Sequence, residues 1–223
     1  MFADTSLIDY YARRASEYER IYAKPERQAD LGAIRRWLLP KCAGHHILEV
    51  ACGTGFWTEV IAVTASTVTA VDINEEVLEI ARSKNLPRRN VTFEKQDAHQ
   101  LSPGANHFTA GLAMFWWSHI PKTRLKLFLR QFHQALRPNA LVVFADNLYV
   151  EGSSTPISRR DHEGNSYQQR SLDDGTRHEV LKNFPTEIEL RDAVKDMAQD
   201  VEYLALEYYW CLAYRLNCNS SKS

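Results

Sequence analysis

The chain has 223 residues, 44% hydrophobic and 25% charged, enough for one α/β domain with a continuous core and unlike a disordered chain. A formal net charge of −1 supplies no global field for nucleic acid or an anionic membrane, so neither is an expected partner. No apolar run approaches the ~20 residues of a membrane span.

In chain order, "SLIDYYARRASEYERIYA" predicts a tyrosine-rich helix, with Ser6 and Asp9 as a capping signature. "PERQADLGAIRRWLL" predicts a second helix, with Pro25 in its first turn and Leu31, Ile34 and Leu38 on one face. "HILEV" reads as a buried strand and "FWTEVIAVTA" as a short helix. "STVTAVDI" is a β-branched strand ending at Asp72, and "NEEVLEIARSK" a helix capped by Asn74. Strands "NVTFEKQD" and "HFTAGLAMFWW", helix "PKTRLKLFLRQFHQALRP" and strand "ALVVFADN" complete the alternation. Strands separated by helices of this length imply right-handed crossovers and a doubly wound parallel sheet. After Asn147, "LYVEGSSTPISRRDHEGNSY" has no period and reads as a long loop. A hairpin turning at Asp174-Gly175 follows, then a helix with a Thr186/Glu189 capping box. "VEYLALEYYWCLAYRL" reads as two strands reversing near Tyr208 to Trp210.

The N-terminal stretch carries Asp4 and Asp9 and has no apolar segment, so no signal peptide is expected. Cys42, Cys52, Cys211 and Cys218 form no C-x-x-C, and no His cluster has ligand spacing, so no metal is expected. Cys52, inside the glycine turn, reads as a small buried residue in preference to a nucleophile. The expected setting is cytoplasmic, as a monomer or homodimer.

The segment "HILEVACGTGFWTEVIA" carries the functional signal. A strand followed by Gly-x-Gly and a helix brings bare backbone against a ligand. The third glycine of a dinucleotide fingerprint is missing: Phe56 or Thr58 stands there, depending on register. Glu49, just before the turn, suits a cationic ligand better than a diphosphate. Asp72, ending the next strand, is placed to accept both hydroxyls of a ribose. A ribose, no phosphates and a positive charge describe S-adenosylmethionine, which makes an NAD-dependent oxidoreductase the weakest alternative.

"ILEVACGTGFWT", "VTAVDINEEVLEIAR", "VTFEKQDAHQL" and "LRPNALVVFADN" resemble, in order and spacing, the successive motifs of the class I S-adenosylmethionine-dependent methyltransferases, and more narrowly their small-molecule branch. Ala51 stands where that family more often has glycine. The resemblance implies a single α/β domain on a doubly wound, Rossmann-like seven-stranded sheet. Five strands would be parallel and a C-terminal pair antiparallel, with an N-terminal lid helix and an inserted loop and hairpin after the fifth strand. Expected regions are 1–40 (lid), 41–147 (cofactor core), 148–185 (substrate-side loop and hairpin) and 186–217 (last helix and strand pair). Carried over by position, Gly53 and Gly55 approach the methionine moiety and adenosine, Asp72 holds the ribose and Ile73 flanks the adenine. Asp97 and the Ala98 amide read the adenine amino group, Phe115 touches the cofactor, and Trp57 either packs near it or belongs to the core. Tyr11 and Arg14 on the lid would close over the methionine carboxylate, with Tyr18 on the same face toward the acceptor.

Methyl transfer from a sulfonium is an in-line displacement that asks chiefly for alignment and exclusion of water. A base is needed only for a protonated acceptor, and His119 in "WWSHIP" is the candidate, set against a structural histidine. Trp116 adds bulk to the expected acceptor pocket. The loop and hairpin carry Arg159, Arg160, Arg170, Arg177, His178 and Lys182, with Arg159, Arg170 and His178 foremost, and make an anionic acceptor the natural expectation, although nearby carboxylates nearly balance them. The expected reaction is methylation of O, N or S on a small molecule. The alternatives are a protein or RNA methyltransferase, or a non-catalytic cofactor-binding partner subunit.

Overall fold

The computed structural model describes residues 5–86, 90–101 and 107–217; Asp4 and Cys218 lie outside them. A seven-stranded sheet in the order β3-β2-β1-β4-β5-β10-β9 is built from β1 (His46–Val50), β2 (Thr67–Asp72), β3 (Val91–Lys95), β4 (Ala110–Met114), β5 (Leu141–Asn147), β9 (Ala198–Ala205) and β10 (Tyr209–Leu216). The first five are parallel, and β10 runs antiparallel to both β5 and β9, as the sequence implied.

Helices α2 (Gln28–Cys42) and α3 (Phe56–Ile61) cover one face, where Leu31, Ile34 and Leu38 join Ile47, Ala70 and Val143 in one core. On the opposite face Phe128, Leu129 and Phe132 of α5 (Lys122–Gln134) and Leu190 of α6 (Glu187–Val194) pack on Val142, Phe144 and Leu212. The strands are buried on both faces because the crossovers lay helices on each. Among the described residues, no helix is long and apolar enough to cross a membrane.

Several local expectations are corrected. The first helix is not continuous: α1 (Thr5–Arg13) contains Ser6 within it, and a 3-10 segment, Ala15–Tyr22, follows Arg14. Tertiary packing overrides the helical pattern there, since Tyr22 stacks face to face on Phe56, ring centroids 3.8 Å apart. Asn74 precedes α4 (Glu75–Ser83) but makes no side-chain cap; its amide donates to the Ile8 carbonyl at 3.2 Å. The loop after β5 contains a strand, β6 (Ile157–Arg160), which joins β7 (Ser166–Ser171) and β8 (Arg177–Leu181) in a separate three-stranded antiparallel sheet. The hairpin at Asp174-Gly175 and the Thr186/Glu189 capping box are present. The last reversal lies at 206–208, slightly earlier than read, and Leu206 N–H donates to the Tyr209 carbonyl.

The N-terminal segment spans the gap between the two sheets. Leu7 and Tyr10 pack with Leu172 and Val180 of the small sheet. Glu19 accepts from the Thr54 hydroxyl (2.7 Å) and pairs with Lys84 (2.5 Å) on the large-sheet side. On the other side Arg20 pairs with Asp173 at 2.6 Å, and Glu17 accepts from the Asp173 amide.

Candidate active site

The glycine turn lies at the carboxyl end of β1, beside the switch point between β1 and β4 where doubly wound sheets open a crevice. Ala51, Gly53 and Gly55 all have positive φ, at 53°, 55° and 76°. Gly55 also packs tightly, since a Cβ there would stand 3.1 Å from that of Ala81. Phe115, just past β4, is likewise left-handed at φ 62°. Such conformations cost a non-glycine residue about 1–2 kcal/mol and gather at functional sites.

Asp72 organises the turn. Its carboxylate accepts the Gly53 N–H at 2.9 Å and the Asn74 N–H at 3.0 Å, leaving lone pairs on both oxygens. Burial raises its pKa, and these backbone donors oppose the rise. Asp97 accepts from the His99 N–H at 2.8 Å. Both carboxylates line a cavity of about 520 Å³, together with Gly53, Ile73, Ala98 and Trp116.

A second cavity, of about 360 Å³, lies between the N-terminal segment and the small sheet; Arg14, Arg170 and Lys182 are on its wall. Tyr11, Tyr18, Phe115 and His119 line both cavities. His119 is buried and bonded at both nitrogens: Nδ1 donates to the Leu181 carbonyl (2.7 Å), so Nε2 accepts from the Tyr11 hydroxyl (2.8 Å). Burial, reinforced by the Lys182 charge, holds its pKa well below the ordinary value, so the ring is neutral. Lys182 is 4% exposed and donates to Asp146 (2.9 Å) and Ser118 (2.6 Å). Burial and the Arg170 charge bring Lys182 down to about 8, against the pull of Asp146. Burial works against the Asp146 carboxylate, yet Lys182 and the Ser118 N–H hold its pKa at about 2.

Other expected residues sit elsewhere. Glu49 is buried beneath the turn, not on the cavity wall, where Thr58 Oγ1 donates to it at 2.6 Å and burial pushes its pKa up to about 7. Trp57 is in the core against Phe115 and Tyr22. Arg159 pairs with Glu179 on the exposed face of the small sheet and stacks on Tyr167. His178 bonds Thr176 and borders neither cavity. Cys52 is buried, its thiol pushed well up by burial, and the described residues hold no cluster suited to a metal.

Asp146 was missed, and Lys182 was counted among the basic residues of the loop and hairpin without being singled out. Lys182, one residue past β8, continues the parity of the buried Val180 on a strand whose Arg177 and Glu179 face out, and that inward position was the available signal. Asp146 is the one acidic residue within the apolar run of β5, a placement that carries a buried charge only when paired.

A family model described as a methyltransferase domain matches residues 47–139. An O-methyltransferase, cnsE, of Penicillium expansum is 35% identical over 112 residues, 48% of this chain and 40% of that protein. A ubiquinone biosynthesis O-methyltransferase of Coxiella burnetii is 30% identical over 79 residues, 35% of this chain and 34% of its own. The chain thus spans less than half the length of these curated relatives. The solved DhpI complex with SAH superposes at a TM-score of 0.79 and 26% identity, covering 96% of each chain. Sheet order, glycine turn and paired acidic residues agree with these matches: residues 47–139 match a methyltransferase domain, and the chain shares the fold of DhpI solved with SAH.

Proposed function

We propose that the protein transfers a methyl group from S-adenosylmethionine to an O, N or S atom of a small molecule. The observation that carries this reading is the pair of cavities meeting at Tyr11, Tyr18, Phe115 and His119. One is furnished for a nucleoside and the other for a polar acceptor, with a junction where a methyl could cross.

Bound S-adenosylmethionine supplies a methyl on a positively charged sulfur, activated for displacement. Asp72 offers its free lone pairs to the ribose hydroxyls, with Ile73 beside the adenine. Asp97 and the Ala98 amide face the adenine edge, and Gly53 permits close approach of the ligand. Tyr11, Arg14 and Tyr18 close over the methionine end. Glu49, Gly55 and Trp57 act from behind, shaping the turn that the ligand rests on. His119 holds Tyr11, and through it the lid; with Nε2 already accepting, it positions rather than acting as base. The closed lid excludes water from the junction.

The test supplies labelled S-adenosylmethionine to a host extract and separates small molecules from macromolecules. Label in the small-molecule fraction, absent with Asp72→Ala, is the expected result. Label only on protein or nucleic acid would refute the acceptor class, and none in either fraction would favour a binding-only subunit.

A further inference from the structure

The inner end of the second cavity holds an excess of positive charge. Arg14, Lys24, Arg27, Arg170 and Lys182 are on its wall with Glu17 as the carboxylate among them, its Oε1 accepting from the Asp173 N–H, and Asp146 beneath Lys182 is a second carboxylate, so the cations remain in excess. On the surface, Arg20, Arg159 and Arg191 are each paired with a carboxylate. Among the described residues, Arg14 and Arg170 have no such partner. Arg170 donates to the neutral Gln168 at 2.7 Å. Arg14 rests over the rings of Tyr10 and Tyr18, 5.7 and 5.4 Å from their centroids. Lys182 uses two ammonium protons on Asp146 and Ser118, which leaves a third. A cation that is desolvated without a counter-charge is costly unless a ligand brings one.

The cofactor does not bring it. S-adenosylmethionine carries one carboxylate against an ammonium and a sulfonium, so its net charge adds to the excess. The uncompensated groups also lie at the junction: Lys182 and Arg170 both bear electrostatically on His119, and Arg170 and Arg14 on Tyr11.

We propose that the acceptor is a small oxyanion whose charged head is gripped by Arg170 and Lys182, with Arg14 shared toward the methionine carboxylate, and that the methylated atom is an oxygen of that head. A lone pair of the anionic oxygen forms the O–C bond as the C–S bond breaks. That bonding pair passes to sulfur, leaving S-adenosylhomocysteine and a methyl ester with one negative charge fewer. No proton moves, so no general base is required, in accord with a His119 whose nitrogens are both engaged. Phosphate, phosphonate and carboxylate heads share this chemistry, and fork-shaped guanidinium donors suit all three.

This inference rests on the methyltransferase reading and is tested apart from it. Calorimetry on the full chain first measures S-adenosylhomocysteine binding, which tests the cofactor reading alone. Ethylphosphonate, ethyl phosphate, propionate and neutral propionamide are then titrated with and without S-adenosylhomocysteine, for the wild type and Arg170→Gln. The expected result is saturable binding of at least one anion and none of the amide, weakened about tenfold or more by Arg170→Gln. S-adenosylhomocysteine affinity should change less than threefold, and the binding anion should gain labelled methyl as an ester. Whichever head group binds names the source. Two outcomes would overturn the proposal: no anion binding in either state, or a loss in Arg170→Gln confined to S-adenosylhomocysteine. The latter would assign the whole cation cluster to the methionine carboxylate.

Discussion

Replacing Asp72 by Asn separates what this residue does for the fold from what it does for the ligand. Its two oxygens hold the Gly53 and Asn74 N–H groups at 2.9 and 3.0 Å. Asn keeps one acceptor and turns an NH₂ toward the other N–H. Losing a hydrogen bond to a charged group costs about 1.5–3 kcal/mol, part of which is offset because a buried charge is no longer desolvated. A net apo destabilisation of about 1–2 kcal/mol follows, and at about 2–4 °C per kcal/mol for a domain of this size Tm falls by about 2–8 °C. A ribose then meets a neutral side chain, and S-adenosylhomocysteine affinity drops a further tenfold or so, about 1.4 kcal/mol. Thermal unfolding without ligand and calorimetry with it read the two effects independently. An unchanged Tm would refute the structural half of the reasoning. A lowered Tm with undiminished ligand affinity would refute the ribose contact.

Glu49 carries a pH signature. Its folded pKa, raised by burial to about 7, means that above the usual carboxylate range and below pH 7 the folded state holds a proton the unfolded chain has released. Stability therefore falls as pH rises through that window, and Glu49→Gln, measured by urea unfolding, should gain on the wild type at pH 8 relative to pH 5. Tyr11→Phe removes the donor to His119 Nε2, a contact of about 1 kcal/mol. Methyl transfer should slow about fivefold in single-turnover assays, with S-adenosylhomocysteine affinity changed less than threefold; an unaltered rate would detach the lid bond from alignment. Lys182 faces Asp146, His119, Arg170 and Arg14, and with its pKa brought to about 8 by burial it loses its charge as pH rises past that value. Oxyanion affinity, followed by calorimetry from pH 7 to 9.5, should decline across that range, and a flat profile would remove the ammonium from the site.

The glycine turn and the acidic strand end on the first cavity were legible because each of these elements is local. A strand, two left-handed glycines and an acidic strand end lie within 27 residues in sequence, and backbone geometry demands those residue types. The second cavity was not, because it is assembled from distant pieces. Arg14 and Tyr11 come from the N-terminus, Asp146 from β5, and Arg170 and Lys182 from the small sheet. Composition flagged a basic hairpin but could not separate Arg170 from the exposed Arg159, since two strands of similar polarity leave the inward face undefined. The break at Arg14 was hidden for a related reason: the tyrosine pattern fits an α-helix, and only the stacking of Tyr22 on Phe56 winds the chain more tightly.

The N-terminal segment is fastened by two kinds of contact. Its inner ties are the Tyr11–His119 bond, the Asn74 amide on Ile8 and the buried Leu7 and Tyr10. Its outer tie to the small sheet is the exposed pair of Arg20 and Asp173, with side chains 67% and 60% accessible. Dissolved ions weaken an exposed pair strongly and sheltered hydrogen bonds little. Ionic strength thus acts most on this exposed pair and less on the more sheltered Glu19–Lys84 pair. Where release of the methylated product sets the pace, added salt loosens the outer tie and quickens turnover, while the rate within the closed complex stays as it was.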